Sequence, residues 1–257
     1  MVVEAVEQLY FSPVESKGLG FQVWRGRLNS INREQLREVL IKNAVDLAII
    51  SIPVERKDAL LTIQRIGFPY ILADILVYFY LDLNEYVQKI SPNKPGTEFV
   101  QLVAGHVPVL NKLIAEIFKG YQNHYTANPL LSPDLITAYQ EWMQSYISAA
   151  DQGRIGWLVK AFDKYVAFAT CEFSAKKSEI ILTGVVPELR GRGVFSSVIR
   201  YLLNYFKGQG ISQIRVSTQL HNYAAQRAYT KEGFIIDQAF LTLHINSMLR
   251  VDNKRVF

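Results

Sequence analysis

Residues 179–234 read EIILTGVVPELRGRGVFSSVIRYLLNYFKGQGISQIRVSTQLHNYAAQRAYTKEGF. The segment from Glu179 to Val186 is short and apolar and ends at Pro187, which predicts a buried strand. Arg190-Gly191-Arg192-Gly193 follows, and its glycines allow a ligand to approach the backbone closely. A helix that begins after this loop would direct its first N–H groups at an anion, and the two arginines would add positive charge. These residues therefore predict a strand and a helix joined by an anion-binding loop.

The segments after the loop continue the alternation of helices and strands. Apolar residues recur at helical spacing, at Val194, Phe195, Val198, Ile199, Leu202, Leu203 and Phe206. Lys207-Gly208-Gln209-Gly210 is predicted to end this helix. Gln213 to Leu220 alternates polar and apolar residues, which predicts a half-polar strand. Asn222 is placed to cap a short helix that ends at Gly233.

Two common nucleotide-binding loops do not fit the glycine loop. No Lys-Ser/Thr follows the last glycine, and the last position of the dinucleotide fingerprint is missing. The segment from Arg190 to Phe195 instead resembles the (Gln/Arg)-x-x-Gly-x-(Gly/Ala) loop of the GNAT superfamily, the acetyl-CoA-dependent N-acetyltransferases. Asn222, Tyr229 and Gly233-Phe234 stand where that family has its helix-start Asn, its sulfur-facing Tyr and its Gly-Phe ending. The sequence departs from the family pattern at Phe195, where the family has Gly or Ala.

The resemblance implies an α/β fold, with a mixed central sheet flanked by helices, and a site for acetyl-CoA. The residues that it assigns to the cofactor are Gly184, Val185, Val186, Arg190, Gly191, Arg192, Gly193, Val194, Phe195, Ser196, Asn222 and Tyr229. Backbone N–H groups of the strand would hold the pantetheine arm and the thioester oxygen, and one such donor is worth roughly 10²–10³ in rate. Tyr229 would protonate the departing thiolate. Asn222 would bind the pantetheine arm, cap its helix, or do both.

Composition limits the class of protein. A chain of 257 residues with 49% hydrophobic residues can form one large domain or two small ones. The single cysteine, Cys171, excludes an internal disulfide framework and suits a reducing compartment. Met1 to Phe11 contains acidic residues and is not expected to be a signal peptide. The most apolar segment, Tyr70 to Leu83, is interrupted by Asp74 and is too short to span a bilayer. We therefore expect a cytoplasmic protein without a membrane partner.

The basic residues do not predict a nucleic-acid partner. The net charge is +5, and the 28 lysines and arginines are scattered along the chain. A nucleic-acid site would need a basic cluster or an aromatic platform. No His, Cys or Asp cluster has the spacing of metal ligands, so no metal is expected either.

Residues 1–90 repeat the order of elements seen in the second half. Strands are predicted at Gly20–Leu28, Asp46–Ile52 and Ile71–Leu83, with helices after Asn32 and at Arg56–Ile66. Gly67 follows Ser51 at the same interval at which Gly233 follows Ser217. We therefore expect a degenerate internal repeat; the alternative is two unrelated α/β segments with similar turn residues.

The repeat lacks the residues that would bind CoA. The positions that match Asn222 and Tyr229 hold Arg56 and Ile63, and no glycine loop precedes them. Residues 1–90 are thus expected to be a partial GNAT-like domain, and the Pro- and Gly-rich residues 91–97 a linker. Residues 98–257 would form the complete GNAT domain. Its further elements are a strand at Phe99–Ala104, helices at Val109–Lys119 and Pro133–Ala149, a hairpin of Trp157–Ala161 and Tyr165–Phe173, and a strand at Ala239–Ile245.

A loop rich in aromatic and amide side chains lies between the two predicted helices of this domain. The loop contains Phe118, Tyr121, His124-Tyr125 and Asn128-Pro129, and Tyr139 and Glu141-Trp142 follow in the second helix. This run resembles the TDP-fucosamine acetyltransferase branch, which acetylates an amino group on a nucleotide-linked deoxysugar and also has a partial GNAT domain in front. The resemblance implies that Tyr121, His124, Tyr125, Asn128 and Trp142 bind the acceptor. Two-domain relatives of this kind are often dimers, so a homodimer is expected.

The acceptor amine must lose a proton, and two residues are candidates for the base. Glu179 precedes Arg190 at the spacing that the catalytic Glu has in the histone-acetylating branch of the superfamily; otherwise it is a surface carboxylate at a strand end. His124 is the second candidate because an ordinary imidazole titrates near neutrality; otherwise it packs the loop. His221 and His244 are interpreted as structural. No covalent intermediate is indicated, so direct transfer is expected.

Two other functions are compatible with these residues. One is the same chemistry on another small amine or an amino acid. The other is a non-catalytic acyl-CoA-binding protein, although the presence of both Asn222 and Tyr229 favours an enzyme.

Overall fold

A computed structural model describes residues 9–88, 97–147, 149 and 152–249. The contacts between residues divide the chain into two compact units. The first unit contains Tyr78–Tyr121 and Asp134–Asp237, and the second contains the residues up to 77, Gln122–Pro133 and those from 238 onward. No helix in the described ranges has the length and apolar character needed to cross a membrane.

Strands and helices are interspersed along the chain, as the sequence predicts for an α/β protein. The strands are β1 Tyr10–Phe11, β2 Val23–Arg27, β3 Leu47–Pro53, β4 Tyr70–Asp82, β5 Glu98–Gln101, β6 Arg154–Ala161, β7 Lys164–Phe173, β8 Lys177–Val185, β9 Gln213–Gln219 and β10 Ile235–Ile245. The helices are α1 Pro13–Leu19, α2 Arg33–Lys42, α3 Lys57–Gln64, α4 Val107–Ile117, α5 Leu135–Gln144, α6 Val194–Gly208 and α7 Tyr223–Glu232. The short β1 and α1 were not predicted, and α5 is shorter than the predicted helix at Pro133–Ala149.

The first unit holds a mixed sheet with the strand order β4-β9-β8-β7-β6-β5. Strand β8 is antiparallel to β7 and parallel to β9. Helices cover both faces: Phe168 on β7 contacts Phe118 at the end of α4, whereas Trp157 on β6 packs on Phe206 of α6. Trp157 is paired with Ala169, whose side chain points to the face opposite that of its neighbour Phe168. The predicted sheet flanked by helices is therefore confirmed.

The hairpin between β6 and β7 turns at Phe162 and Asp163. Both residues have a positive φ, 51° and 58°. Two consecutive residues in this conformation match the right-handed twist of the flanking strands, so the turn gives a tight hairpin. The predicted hairpin is confirmed at this position.

The second unit has the strand order β1-β2-β3-β10. Strand β2 is parallel to β3, and β10 pairs with β3 in the antiparallel direction. The core beneath these strands includes Leu36, Leu40, Ala48, Ile50, Ile52, Ala59, Ile63, Leu243 and Ile245. Ile63, at the position that matches Tyr229 in the proposed repeat, is thus part of the core.

Each half of the sequence ends with a strand that lies beside a strand of the other half. Strand β4 ends the first half and neighbours β9, whereas β10 ends the second half and pairs with β3. The halves share a further feature, since Gly67 and Gly233 have positive φ values of 81° and 106°. The domains 1–90 and 98–257, which are defined by sequence order, stay a prediction. Of the predicted linker 91–97, only Thr97 lies within the described residues.

Candidate active site

Strands β8 and β9 separate near their carboxyl ends. Their pairing ends at Ile180 with Val216 in the described part of the sheet, although β8 continues to Val185 and β9 to Gln219. The cause is a β-bulge: Ile180 and Leu182 have consecutive partners on β7, so the intervening residue has none. A bulge bends its strand and increases the local twist. The edge of β8 that faces β9 is therefore open beyond Ile180.

The register of β8 shows which backbone groups face this open edge. The N–H of Val186 donates to the carbonyl of Val166 on the β7 side, at 2.9 Å. Because N–H directions alternate along an antiparallel strand, Gly184 also donates toward β7, and Thr183 and Val185 point away from it. Of the three predicted donors, only Val185 faces the open edge. Thr183 is the residue that sequence reasoning missed, because no local pattern in the sequence marks the bulge.

Gly184 is needed for close packing. A Cβ at this position would lie 2.5 Å from Cγ2 of Ile117 and 3.4 Å from Cε1 of Phe168. The register irregularity of β8 lies between Ile180 and Leu182, and not at Gly184. The absence of a side chain instead lets α4 pack directly on β8.

The glycine loop ends at the N-terminus of α6. Gly191 and Gly193 have φ values of 72° and 84°, and a Cβ on either would meet nothing within 4 Å. Glycine is therefore required at both positions by the left-handed backbone conformation, and not by a lack of room for a side chain. The N–H of Ser197 makes the first helical bond, to Gly193 at 3.1 Å, so the N–H groups of residues 193–196 precede it. A row of such donors fits a diphosphate.

Arg190 has a different contact from the one that its position predicts. Its guanidinium donates to the carbonyl of Val185 at 3.2 Å and to that of Ile117 at 2.9 Å. Arg190 thereby connects the end of β8 to the end of α4. The sequence had instead predicted that Arg190 adds positive charge to an anion site. Arg192, the second arginine of the loop, is exposed.

Tyr229 lies on α7 and is only 3% exposed. Its ring is 5.5 Å from Phe79, 5.8 Å from Phe195 and 5.7 Å from Phe234, measured between centroids. Burial raises the pKa of the Tyr229 phenol, and Tyr121 raises it further. The phenol is therefore protonated at neutral pH, as a general acid must be. Phe195, the departure from the family loop, forms one wall around this residue.

Asn222 caps the helix that carries Tyr229. Its Oδ1 accepts from the N–H of Ala225 at 3.3 Å, and its Nδ2 donates to Oγ1 of Thr218 at 2.9 Å. The capping role is thus present, and binding of a pantetheine arm stays a prediction.

Aromatic side chains form a continuous series from β9 to the surface of α5. Tyr121 donates to Oε1 of Gln219 at 2.7 Å and contacts Phe118. Phe118 stacks on Tyr139 at 4.4 Å, and Tyr139 stacks on Trp142 at 6.2 Å. Trp142 is 44% exposed. The structure therefore brings two predicted acceptor residues, Tyr121 and Trp142, into one series with the end of β9.

The sheet face next to this series is polar along β9. Arg215, Ser217 and Gln219 are half-buried, whereas the alternate residues Ile214, Val216 and Thr218 are buried on the opposite face. Glu179 on β8 is the cross-strand neighbour of Arg215, and on its other side it neighbours Glu172 of β7. Glu179 therefore lies half-buried between a cation and another carboxylate.

The other three predicted acceptor residues lie in the second unit. Asn128 is 1% exposed and donates from Nδ2 to Nδ1 of His244 at 3.2 Å and to Oδ1 of Asn246 at 2.8 Å. His124 meets His244 through Nδ1 and Nε2 at 2.9 Å. Tyr125 donates to Glu15. Asn128 thus supports the His pair, and its binding of an acceptor stays a prediction.

The hydrogen bonds of this cluster determine the tautomers of the two histidines. The Asn128 amide orientation is set by Leu130, whose N–H donates to Oδ1 at 3.2 Å. Since an amide nitrogen only donates, Nδ1 of His244 accepts and its Nε2 carries the proton that it donates to His124. Neutral His124 then carries its proton on Nε2.

The charge state of the cluster follows from its burial and from a nearby cation. Arg25, which pairs with Glu15 at 3.1 Å, adds its positive charge to the effect of burial on the pKa of both histidines. Burial, with His244 and Arg25, lowers the pKa of His124 well below its usual value, and burial with Arg25 lowers the pKa of His244 to about 4. His124 is therefore uncharged and can donate the proton on its Nε2. The near-neutral pKa that the sequence predicts for His124 is wrong.

Comparisons with known proteins support an acetyltransferase fold. Residues 115–234 match the model of the acetyltransferase (GNAT) family. A functionally unknown conserved protein from Staphylococcus epidermidis is similar over 95% of this chain and 93% of its own, with 11% identity and a TM-score of 0.64. A tandem GNAT protein from the clavulanic acid biosynthesis pathway is similar over 89% of this chain and 76% of its own, with 11% identity and a TM-score of 0.60.

A third similar structure is the GCN5-related glucosamine N-acetyltransferase region of a fungal multi-domain GH3 β-N-acetylglucosaminidase. The similarity covers 93% of this chain and 31% of the fungal chain, with 12% identity and a TM-score of 0.60. The comparison with curated proteins gives no match. At these identities the solved structures share the fold. The family match spans the glycine loop and Tyr229, and it indicates an acyltransferase.

Proposed function

We propose that this protein transfers an acetyl group directly from acetyl-CoA to the primary amine of a small molecule. The observation that carries the proposal is the open edge of β8, where the N–H groups of Thr183 and Val185 face no partner strand among the described residues. The backbone N–H donors of residues 193–196 follow this edge in the sequence. Tyr229, the proposed acid, lies further on, in α7. Bound acetyl-CoA supplies the acetyl group as a thioester.

Each group at the site then has a role. The N–H groups of residues 193–196 bind the diphosphate. Thr183 and Val185 donate to the pantetheine arm and the thioester oxygen, and stabilise the negative charge that develops there. Tyr229, whose phenol is protonated at neutral pH, returns a proton to the leaving sulfur. Glu179 is the first candidate for the base that removes the amine proton.

We propose that the acceptor is an amino sugar, and specifically a nucleotide-linked amino-deoxysugar. The hydroxyl and amide groups on the half-buried polar face of β9 suit a hydroxyl-rich molecule, and Trp142 offers a half-exposed indole for stacking. The similar fungal region is a glucosamine N-acetyltransferase, which favours the same class of acceptor. A small amine or an amino acid is the alternative acceptor, and a non-catalytic acyl-CoA-binding protein is the alternative function.

Two measurements test this proposal. Titration calorimetry with acetyl-CoA should give a saturable heat; its absence would contradict every function proposed here. Release of the CoA thiol is then followed with a TDP-linked amino-deoxysugar, glucosamine, spermidine and an amino acid as acceptors. The highest kcat/KM is expected for the nucleotide-linked sugar, and a preference for spermidine would contradict the acceptor class.

A Tyr229→Phe variant tests the acid. It should bind acetyl-CoA with an unchanged Kd but react at least about tenfold more slowly, since the ring remains and the proton is lost. An unchanged rate would exclude Tyr229 as the acid. Tyr223→Phe, an exposed tyrosine on the same helix, is the matched control.

We further propose that residues 1–90 are a degenerate GNAT-like domain that does not bind CoA. The helix at the matching position, α3, has no side-chain cap at Arg56, and Ile63 is fully buried. A cytoplasmic homodimer is also proposed, with the lone buried Cys171 in keeping with a reducing compartment. Sedimentation velocity tests the dimer, and a stoichiometry of one acetyl-CoA per chain is the expected calorimetric result.

A further inference from the structure

Two charged side chains connect α6 to α7. Arg200 on α6 donates from Nε to Oε2 of Glu232 at 2.8 Å and from Nη2 to Oε1 at 2.9 Å. The Glu232 side chain is 0% exposed, and that of Arg200 is 19% exposed. Two parallel bonds between a guanidinium and a carboxylate restrict both distance and orientation.

The two helices that this pair joins carry the two parts of the proposed site. The N-terminus of α6 presents the N–H groups that fit a diphosphate, and Phe195 in its first turn contacts the ring of Tyr229. Tyr229 and Glu232 lie one turn apart on α7, so they share a side of the helix. Asn222 holds the N-terminal end of α7, and the Arg200–Glu232 pair holds its C-terminal end.

Stability alone does not account for such a pair. Replacement of a buried ion pair by apolar residues of similar volume is often neutral or stabilising, so two apolar side chains could join the helices equally well. What apolar contacts lack is the fixed orientation of a bidentate fork. In a short helix of ten residues, that orientation determines where the phenol of Tyr229 lies relative to the α6 N-terminus.

We propose that Arg200 and Glu232 are positioning residues that hold the Tyr229 phenol at the reacting sulfur. The inference rests on the proposed acetyltransferase function. Neither residue touches the reacting atoms, so both act through Tyr229. A displacement of about 1 Å in such a group can reduce the rate on the order of a hundredfold.

The first test compares Glu232→Gln and Arg200→Lys with the wild type. The Kd for acetyl-CoA should stay within about twofold, because the α6 donors are untouched, whereas release of the CoA thiol should slow roughly tenfold or more. Thiol release is measured with glucosamine as acceptor and with water alone. Arg56→Lys and Asp58→Asn, which alter the exposed Arg56–Asp58 pair, serve as controls and should not change the rate.

A double-mutant cycle with Tyr229→Phe separates positioning from a merely structural role. If Glu232 acts through the phenol, Glu232→Gln should cause no further loss of rate when Tyr229 is already Phe. Multiplicative losses would overturn the inference. Because a single variant can fail to fold, Arg200→Met combined with Glu232→Leu provides a folded alternative. It should remain slow, and a wild-type rate would also overturn the inference.

A spectroscopic measurement makes the test independent of activity. With 3-fluorotyrosine at position 229, the wild type should give one narrow ¹⁹F resonance, and Glu232→Gln should shift or broaden it. An unchanged resonance would overturn the positioning role. If the wild type neither binds nor cleaves acetyl-CoA, the proposed function fails, and this resonance still reports whether Glu232 positions Tyr229.

Discussion

Replacing Gly184 by Ala introduces one methyl group between β8 and α4. The new Cβ would lie 2.5 Å from Cγ2 of Ile117, closer than any real contact, and 3.4 Å from Phe168. Gly184 does not have a positive φ, so the effect is steric and includes no backbone strain. Because Cγ2 is attached next to the α4 backbone, the helix or the strand must move.

The expected loss of stability is that of an overpacked core, about 1–3 kcal/mol. For a chain of this size, that corresponds to a fall in Tm of roughly 2–4 °C per kcal/mol. The shift also changes the direction of the Thr183 and Val185 N–H groups on either side. Since one misplaced donor can reduce the rate by about 10²–10³, we expect acetyl transfer to slow more than acetyl-CoA binding weakens.

Urea unfolding measures the stability, and thiol release measures the rate. Ile117→Ala removes the methyl group that the new Cβ would strike, so the double variant should lose less stability than the sum of the two single losses. Gly208→Ala is the matched control, because a Cβ there meets nothing within 4 Å. Wild-type stability of Gly184→Ala, or additive losses in the double variant, would refute the steric reasoning.

Three further predictions concern the pair between α6 and α7, the buried His244 and the strand β4. Glu232→Gln leaves the partly exposed guanidinium of Arg200 without its carboxylate and should lower the free energy of unfolding by about 1.5–3 kcal/mol in urea titrations. His244 has a folded pKa of about 4, below its ordinary value of 6.5. The unfolded chain therefore binds an additional proton in this window, and stability should fall by up to about 1.4 kcal/mol per unit as the pH drops from 6.5 toward 4. Residues 98–257 alone lack β4, the neighbour of β9, and should give no cooperative thermal transition.

Each of these predictions has its own control. Asp58→Asn, in an exposed pair, should change stability by less than about 1 kcal/mol; an equal loss there would mean that burial is not the cause. His244→Gln should reduce the pH dependence to the part that His124 contributes, whereas the exposed His221→Gln should leave it unchanged. For the truncation, the full chain is the reference, and a cooperative transition of residues 98–257 would show that β4 is dispensable.

Local patterns in the sequence account for most helices and strands. Asn32 and Asn222 cap helices as predicted, with their Oδ1 atoms bonded to the N–H groups of Gln35 and Ala225. The periodicity of α6 and the alternation of β9 match their buried faces. The predicted helix at Pro133–Ala149 was wrong in extent, since α5 ends at Gln144.

The candidate site was predictable only where it depends on local backbone chemistry. The glycine loop, the helix N-terminus after it and the buried tyrosine on α7 follow from residues that are close in sequence. The contacts of Arg190 were not predictable, because one of its two acceptors, the Ile117 carbonyl, is distant in the chain. The same holds for His124, whose pKa depends on His244 and Arg25.

The sequence by itself therefore determined the order of the elements, the anion-binding glycine loop and the candidate acid Tyr229. It could do so because helix capping, glycine conformation and periodicity depend on residues that are close in the chain. Only the tertiary structure decided which backbone groups face the open edge, since the bulge between Ile180 and Leu182 is a relation between β8 and β7. It also decided that β4 lies beside β9 and β10 beside β3. These two pairings join residues that are far apart in the chain, and no local pattern encodes them.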